Sequence, residues 1–189
     1  MTGSRVAVLV GVSVAVLALF AGWGVRQALD PAGATTSTAG VRKGGLAPGT
    51  PRPEFVLPDL EGHPRQVSEW DGRVLVVNFW AAWCPPCLRE IPHFIDLQTR
   101  YRDQGLVFVG IAIDEPGAVR ELVQQLGVNY PVLLGDAEAS EVSVRYGNAL
   151  GGLPYTVVLD RQGRVALTHT GEVPIARLEG VVRPLLAGS

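Results

Sequence analysis

The sequence predicts an α/β domain with a mixed central sheet flanked by helices. Three observations lead there. Arg73 to Trp80 and Leu106 to Ile113 are nearly continuous apolar, valine-rich runs of strand length, as central parallel strands covered on both faces require. Between them, Pro85 to about Arg102 carries Leu88, Ile91, Ile95 and Leu97 near helical spacing, which makes a strand–helix–strand unit. Near the C-terminus, Thr156 to Leu159 and Arg164 to Thr168 flank Asp160-Arg161-Gln162-Gly163, a hairpin turn by composition, and a helical run from Ile175 follows.

The remaining elements fall into place along the chain. Val6 to Val25 holds no charged residue and is about 20 residues long, enough to span a bilayer core. Arg5 and Arg26 bracket it, and Trp23 sits where an interfacial aromatic belongs. Residues 1–26 therefore read as an uncleaved membrane anchor. The alternative is a cleaved signal peptide and a secreted domain, but the nearest A-x-A-like site, Ala32-Gly33-Ala34, lies well past the apolar run. A short tail before a first span favours translocation of the C-terminal part to the extracytoplasmic side. Residues 27–45 are small, polar and aperiodic, a linker.

The globular domain is expected over 46–189. It opens with a β-hairpin: Phe55 to Leu57, a turn at Glu61-Gly62, then Arg65 to Val67. Ser68 is placed to cap a short turn through Trp70, and Asp71-Gly72 breaks it. Pro92 should kink the first long helix, and Gly105 closes it. A helix over 117–126 buries Val119, Leu122, Val123 and Leu126; a strand over 130–134 and a helix over 139–146 follow. The last helix, from Ile175 to Leu186, is expected to break at Pro184.

Composition narrows the function classes. Lys plus Arg is 16 and Asp plus Glu is 18 in 189 residues, with no basic stripe, so a nucleic-acid binder is excluded. The chain has two cysteines, Cys84 and Cys87. So short a loop staples nothing, and no second C-x-x-C or H-x-x-x-H completes a zinc site. Redox catalysis is what remains.

Cys84 falls between a strand and a helix. Its sulfur would face the helix N-terminus, whose free N–H groups and dipole favour the thiolate, the attacking species. Cys87, one turn further in, should be more buried. Cys84 then attacks a substrate disulfide and Cys87 resolves the mixed disulfide. Neither Pro85 nor Pro86 has an N–H to donate, so the first amide near the Cys84 thiolate is that of Cys87. A less stabilised thiolate makes a more reducing couple.

Trp80-Ala81-Ala82-Trp83-Cys84-Pro85-Pro86-Cys87-Leu88-Arg89-Glu90-Ile91-Pro92 resembles the active-site segment of membrane-anchored, thioredoxin-like proteins of the TlpA/ResA type. The resemblance runs from about Leu46 to the C-terminus. It implies a thioredoxin-like fold and a thiol-disulfide oxidoreductase with no bound cofactor. Gly152 to Asp160 looks like the family's cis-proline loop and following strand, so the resemblance implies a cis Leu153–Pro154 bond; composition alone favours an ordinary trans turn. Leu153, Pro154 and Trp83 would then meet the substrate, the Leu153 backbone by strand-like pairing. Implied partners are protein disulfides such as those of apocytochrome c, its maturation factors or copper-site cysteines, and a thiol donor that recharges the pair.

Glu90 lies three residues past Cys87. Helix geometry divides evenly between a solvated glutamate and a proton acceptor; the resemblance favours the acceptor. Thioredoxin itself has a buried aspartate six residues before its first cysteine, where this chain has Asn78. A base for Cys87 must come from elsewhere, and Glu90 is the candidate. Two other readings compete. A thiol peroxidase of this fold would have Thr at Ala81. A copper carrier would add a histidine (His63, His93 or His169) to the cysteines, which such proteins usually space by three residues. Asp136, Glu138 and Glu141 form a small acidic cluster, read as a solvated helix start that could also select partners by charge.

Overall fold

The computed structural model describes residues 45–188. The expected anchor and linker, apart from Gly45, lie outside the described residues. Among those described, no helix is long and apolar enough to cross a membrane.

The chain order is β1 (Val56–Pro58), β2 (Pro64–Gln66), a 3-10 turn (Val67–Trp70), β3 (Val74–Trp80), α1 (Pro85–Tyr101), β4 (Leu106–Ile113), α2 (Pro116–Leu126), β5 (Val132–Gly135), α3 (Ala137–Arg145), β6 (Tyr155–Leu159), β7 (Val165–Thr170) and α4 (Ile175–Ala187). β1 and β2 form the expected antiparallel hairpin. The other five strands form one sheet in the order β5-β4-β3-β6-β7. Its β3–β4 and β4–β5 pairs are parallel, and its β3–β6 and β6–β7 pairs are antiparallel.

β3 is the hub, and all seven of its residues are buried. Side chains alternate across a strand. Leu75, Val77 and Phe79 enter a cluster with Val142 of α3, Tyr146 at the C-cap of that helix, and Phe55 and Leu57 of the N-terminal segment. Val74 and Val76 pack with Phe94 and Leu97 of α1 and Leu178 and Val182 of α4. Trp80 joins Cys84, Cys87 and Ile91 with Val119 of α2.

The N-terminal segment reaches both outer strands of the sheet. On β7, Gly49 N–H donates to Val165 O at 2.7 Å and Val165 N–H to Thr50 O at 2.9 Å. On β5, Asp59 bridges antiparallel to Leu133. Gly45, assigned above to the linker, is already buried; its φ is 112° and a Cβ there would run into Thr168 and Tyr155, so no side chain fits.

Two local expectations are corrected. The 3-10 turn is capped by Gln66 rather than Ser68, in a capping box in which Glu69 Oε1 accepts the Gln66 N–H at 2.8 Å. α4 continues through Pro184 to Ala187. Burial of Val182 and Leu186 on either side of the proline carries the helix past it.

β4 extends beyond its pairing with β5, which covers only Gly110 to Ile113. The buried Gln98 of α1 serves the remainder: its Oε1 accepts Phe108 N–H at 2.7 Å and its Nε2 donates to Leu106 O at 3.3 Å. Gln98→Ala leaves both backbone groups unsatisfied in the core. It should lower stability by about 2 kcal/mol, read as a lower urea midpoint with unchanged slope; an unshifted midpoint would show that these bonds contribute nothing.

Candidate active site

Cys84 is the N-cap of α1, with extended backbone (φ −100°, ψ 99°), and Pro85 and Pro86 open the helix. Proline suits the first helical turn because those N–H groups lack partners anyway. The first helical bond from Cys84 O is therefore to Leu88 N–H, at 3.2 Å. Cys84 and Cys87 form a disulfide (S–S 2.04 Å, Cα–Cα 5.3 Å). Both are buried, Cys87 at 0% and Cys84 at 3% exposure. Trp83, immediately before them, is 68% exposed. The loop is held from β4's end, where Asp114 Oδ2 accepts Ala82 N–H at 2.8 Å.

Antiparallel pairing of β3 with β6 sets Asn78 opposite Thr156 and Phe79 opposite Tyr155. It thereby brings the segment before β6 beside the end of β3. The Leu153–Pro154 bond in that segment is cis, as the resemblance implies. Pro154 is buried and Leu153 half-buried. The loop is closed by Asn148, whose Nδ2 donates to Gly152 O at 2.9 Å and to Ser143 Oγ at 2.9 Å, and whose Oδ1 accepts Gly152 N–H at 3.1 Å. Leu150, at its tip, is 93% exposed.

Glu90 is not a solvated glutamate: it is 1% exposed. The buried stripe of α1 is Cys87, Glu90, Ile91, Phe94, Leu97 and Gln98, which places Glu90 on the core face one turn beyond Cys87. Leu88 and Ile95, expected on that face, are half-buried at its margin. Glu90 Oε1 accepts from Asn78 Nδ2 at 2.8 Å, and Oε2 accepts Val173 N–H at 3.2 Å. Asn78 Nδ2 also donates to Thr156 Oγ1 at 3.0 Å. The adjacent Arg89 grips Glu172 at 2.8 Å, pinning the β7–α4 connection that supplies Val173. Burial pushes the Glu90 carboxyl up from 4.5 to about 7, against its two hydrogen bonds and with the Glu172 charge adding to the rise. A group that titrates there can hold or release a proton beside the cysteines near neutral pH.

The structure thus gathers Cys84, Cys87, Glu90, Pro85, Pro86, Trp83, Leu153 and Pro154 at one end of the sheet. Sequence reasoning took Asn78 as a missing acid and did not foresee that it would be the hydrogen-bond partner of Glu90. It also missed Asp114, Asn148 and the Val173 amide. Only the heptad-like placement of Glu90 between Cys87 and Phe94 signalled its burial. Among the described residues no histidine groups with the cysteines as a ligand set; the one such cluster is Asp59, Glu61 and His63, at the hairpin turn.

A disulfide at the N-terminus of the helix after a central strand, facing a cis-proline loop, defines a thiol-disulfide oxidoreductase of thioredoxin-like fold. Known proteins agree. Residues 47–182 match the Redoxin family. The chain is 33% identical over 130 residues to the thiol-disulfide oxidoreductase ResA of Geobacillus kaustophilus, covering 68% of this chain and 72% of that one. It is 31% identical over 138 residues to ResA of Bacillus anthracis, covering 72% and 78%. The crystal structure of a thioredoxin-family thiol:disulfide interchange protein from Chlorobium tepidum superposes with a TM-score of 0.67 at 31% identity, over 74% of this chain and 98% of that one. The chain belongs to the ResA/TlpA-type family of thioredoxin-like thiol-disulfide oxidoreductases, enzymes acting on protein disulfides.

The raised Glu90 pKa has a sign for stability. Below pH 4.5 the carboxyl is protonated in both folded and unfolded chains, and its contribution is fully present. Between 4.5 and about 7 the unfolded chain ionises while the fold keeps the proton, so stability falls as pH rises. The oxidised protein should lose up to about 3 kcal/mol across this window, measured by urea unfolding at several pH values. Glu90→Gln should flatten that slope; a slope unchanged in the variant would assign it to other groups.

Proposed function

We propose that this chain is a membrane-tethered, extracytoplasmic reductase of protein disulfides. The observation that carries this reading is the buried Glu90 one turn past Cys87, bonded to a neutral Asn78. In the reduced enzyme the Cys84 thiolate attacks a substrate disulfide. A Cys84–substrate bond forms, and the other substrate sulfur leaves as a thiolate. Cys87 passes its proton to Glu90 and attacks Cys84, releasing the second substrate thiolate and closing the Cys84–Cys87 bond. Two electrons pass from the cysteine pair to the substrate, and a thiol donor restores the pair by the reverse exchange.

Two features of the sequence favour reduction at a membrane. Pro85 and Pro86 offer the Cys84 thiolate no N–H, which leaves it less stabilised and the couple more reducing. Val6 to Val25 is apolar throughout, bracketed by Arg5 and Arg26 and long enough to span a bilayer, which supports a membrane tether. Apocytochrome c and its maturation factors fit such a location as substrates.

Cys87→Ala should accumulate a mixed disulfide on Cys84 that dithiothreitol releases, and the trapped partner identifies the substrate; no adduct in cells that make the natural substrate would remove Cys84 as nucleophile. Equilibration with glutathione should give a potential well below the roughly −120 mV of a strong oxidase. A value at that level would overturn the reductase assignment. Glu90→Gln should slow closure of the cysteine pair by roughly tenfold to a hundredfold at pH 7, followed by rapid quench; unchanged closure would take Glu90 out of the mechanism.

A further inference from the structure

The short connection from β7 to α4, Gly171 to Pro174, touches two separate parts of the redox site. The Gly171 N–H donates to Pro154 O at 2.8 Å, the carbonyl of the cis-proline itself. Two residues on, the Val173 N–H donates to Glu90 Oε2 at 3.2 Å. Gly171 takes the left-handed conformation (φ 87°) that turns the chain between the two bonds. The Val173 side chain is buried with Leu178 and Val182 of α4.

Side chains hold this connection from outside. Arg89 Nε and Nη2 both reach Glu172 Oε2, at 2.9 and 2.8 Å. His169 Nε2 lies 3.1 Å from Glu172 O. Arg89 precedes Glu90, and Glu172 precedes Val173. Helix α1 and the connection are therefore linked at two successive positions, by the ion pair at the surface and by the buried amide–carboxyl bond. The side chains of the pair are 59% and 42% exposed. An ion pair so open to water contributes little to global stability, so its placement is what distinguishes it. The charged or titratable groups around Glu90 are Cys87 and Arg89 on its own helix, Glu172 in the connection and Tyr130 ahead of β5; Asn78 and Thr156 are neutral.

We propose that the Arg89–Glu172 ion pair is a positioning device for the exchange reaction: it clasps the β7–α4 connection to α1, so that one amide stays on Glu90 and another on the cis-proline. This role rests on Glu90 being the acceptor of the Cys87 proton, as read above. The Val173 N–H favours the ionised carboxyl, the form that can accept a proton. With the clasp open the connection draws away, and Glu90 ionises only at higher pH. Cys87 then lacks its acceptor over the interval between, and closure of the pair slows there. The bond to Pro154 O belongs to the same connection, so one surface contact sets both the proton acceptor and the loop that faces the substrate.

The test mixes the reduced full-length protein with excess 2-hydroxyethyl disulfide and follows closure of the Cys84–Cys87 pair by rapid quench across neutral pH. Arg89→Ala/Glu172→Ala removes the pair without changing net charge. Its pH midpoint for closure should lie about half to one pH unit above that of the unsubstituted protein, and its rate at pH 7 should be roughly twofold to fivefold lower. The swap Arg89→Glu/Glu172→Arg should bring the midpoint back. A merely structural contact would lower the rate evenly at every pH. A midpoint that stays in place in the double-alanine variant, or that the swap leaves raised, would therefore overturn the clasp alone. Glu90→Gln is measured alongside: closure at the unsubstituted rate in that variant would instead overturn the reading of Glu90 as acceptor.

Discussion

The burial of Glu90 constrains the rest of the site. A carboxyl at 1% exposure needs hydrogen-bond donors. Here they come from β3, through Asn78, and from the β7–α4 connection, through Val173. Thr156 on β6 holds Asn78 in turn. One side chain of α1 thereby ties the helix that carries the cysteines to two central strands and to the approach to α4. An aspartate at position 78 would set two carboxyls face to face in the core, and one of them would have to stay protonated. Asparagine instead offers an N–H to the carboxyl and lets Glu90 alone carry the titration.

Sheet register does the positioning. Cys84 can cap α1 because β3 ends at Trp80 and a short loop, pinned by Asp114, turns into the helix. Pairing of β3 with β6 brings the segment containing Pro154 alongside that loop. The cysteine pair and the cis-proline loop come from separated parts of the chain, yet both lie at one end of the sheet. In open α/β sheets, the C-terminal ends of parallel strands are where ligands bind.

Much of this was legible in the sequence because local rules and global packing agree there. The runs around Val74–Val77 and Leu106–Ile113 are too apolar for any place but a sheet centre, and Gly105 ends the first helical segment where a left-handed residue is required. Cys84 and Cys87 announced themselves by spacing. What stayed hidden were contacts between residues far apart in sequence. Asn78 and Glu90 are neighbours only after α1 folds back on β3, and Val173 contributes a backbone amide that has no sequence signature. Pro184 misled for a related reason: its local cost is plain, whereas the packing of Val182 and Leu186 that outweighs it is tertiary.

The N-terminal segment also bears on how the folded domain meets its own copies. An open five-stranded sheet has two outer strands whose unpaired N–H and C=O groups can template pairing with another molecule. Here residues just ahead of the hairpin cover the start of β7 at Gly49 and Thr50, and Asp59 closes onto β5, itself only four residues long. The same short stretch thus blunts both edges and guards against edge-to-edge aggregation. Truncating it would uncover adhesive strand edges while leaving every residue of the redox centre in the chain.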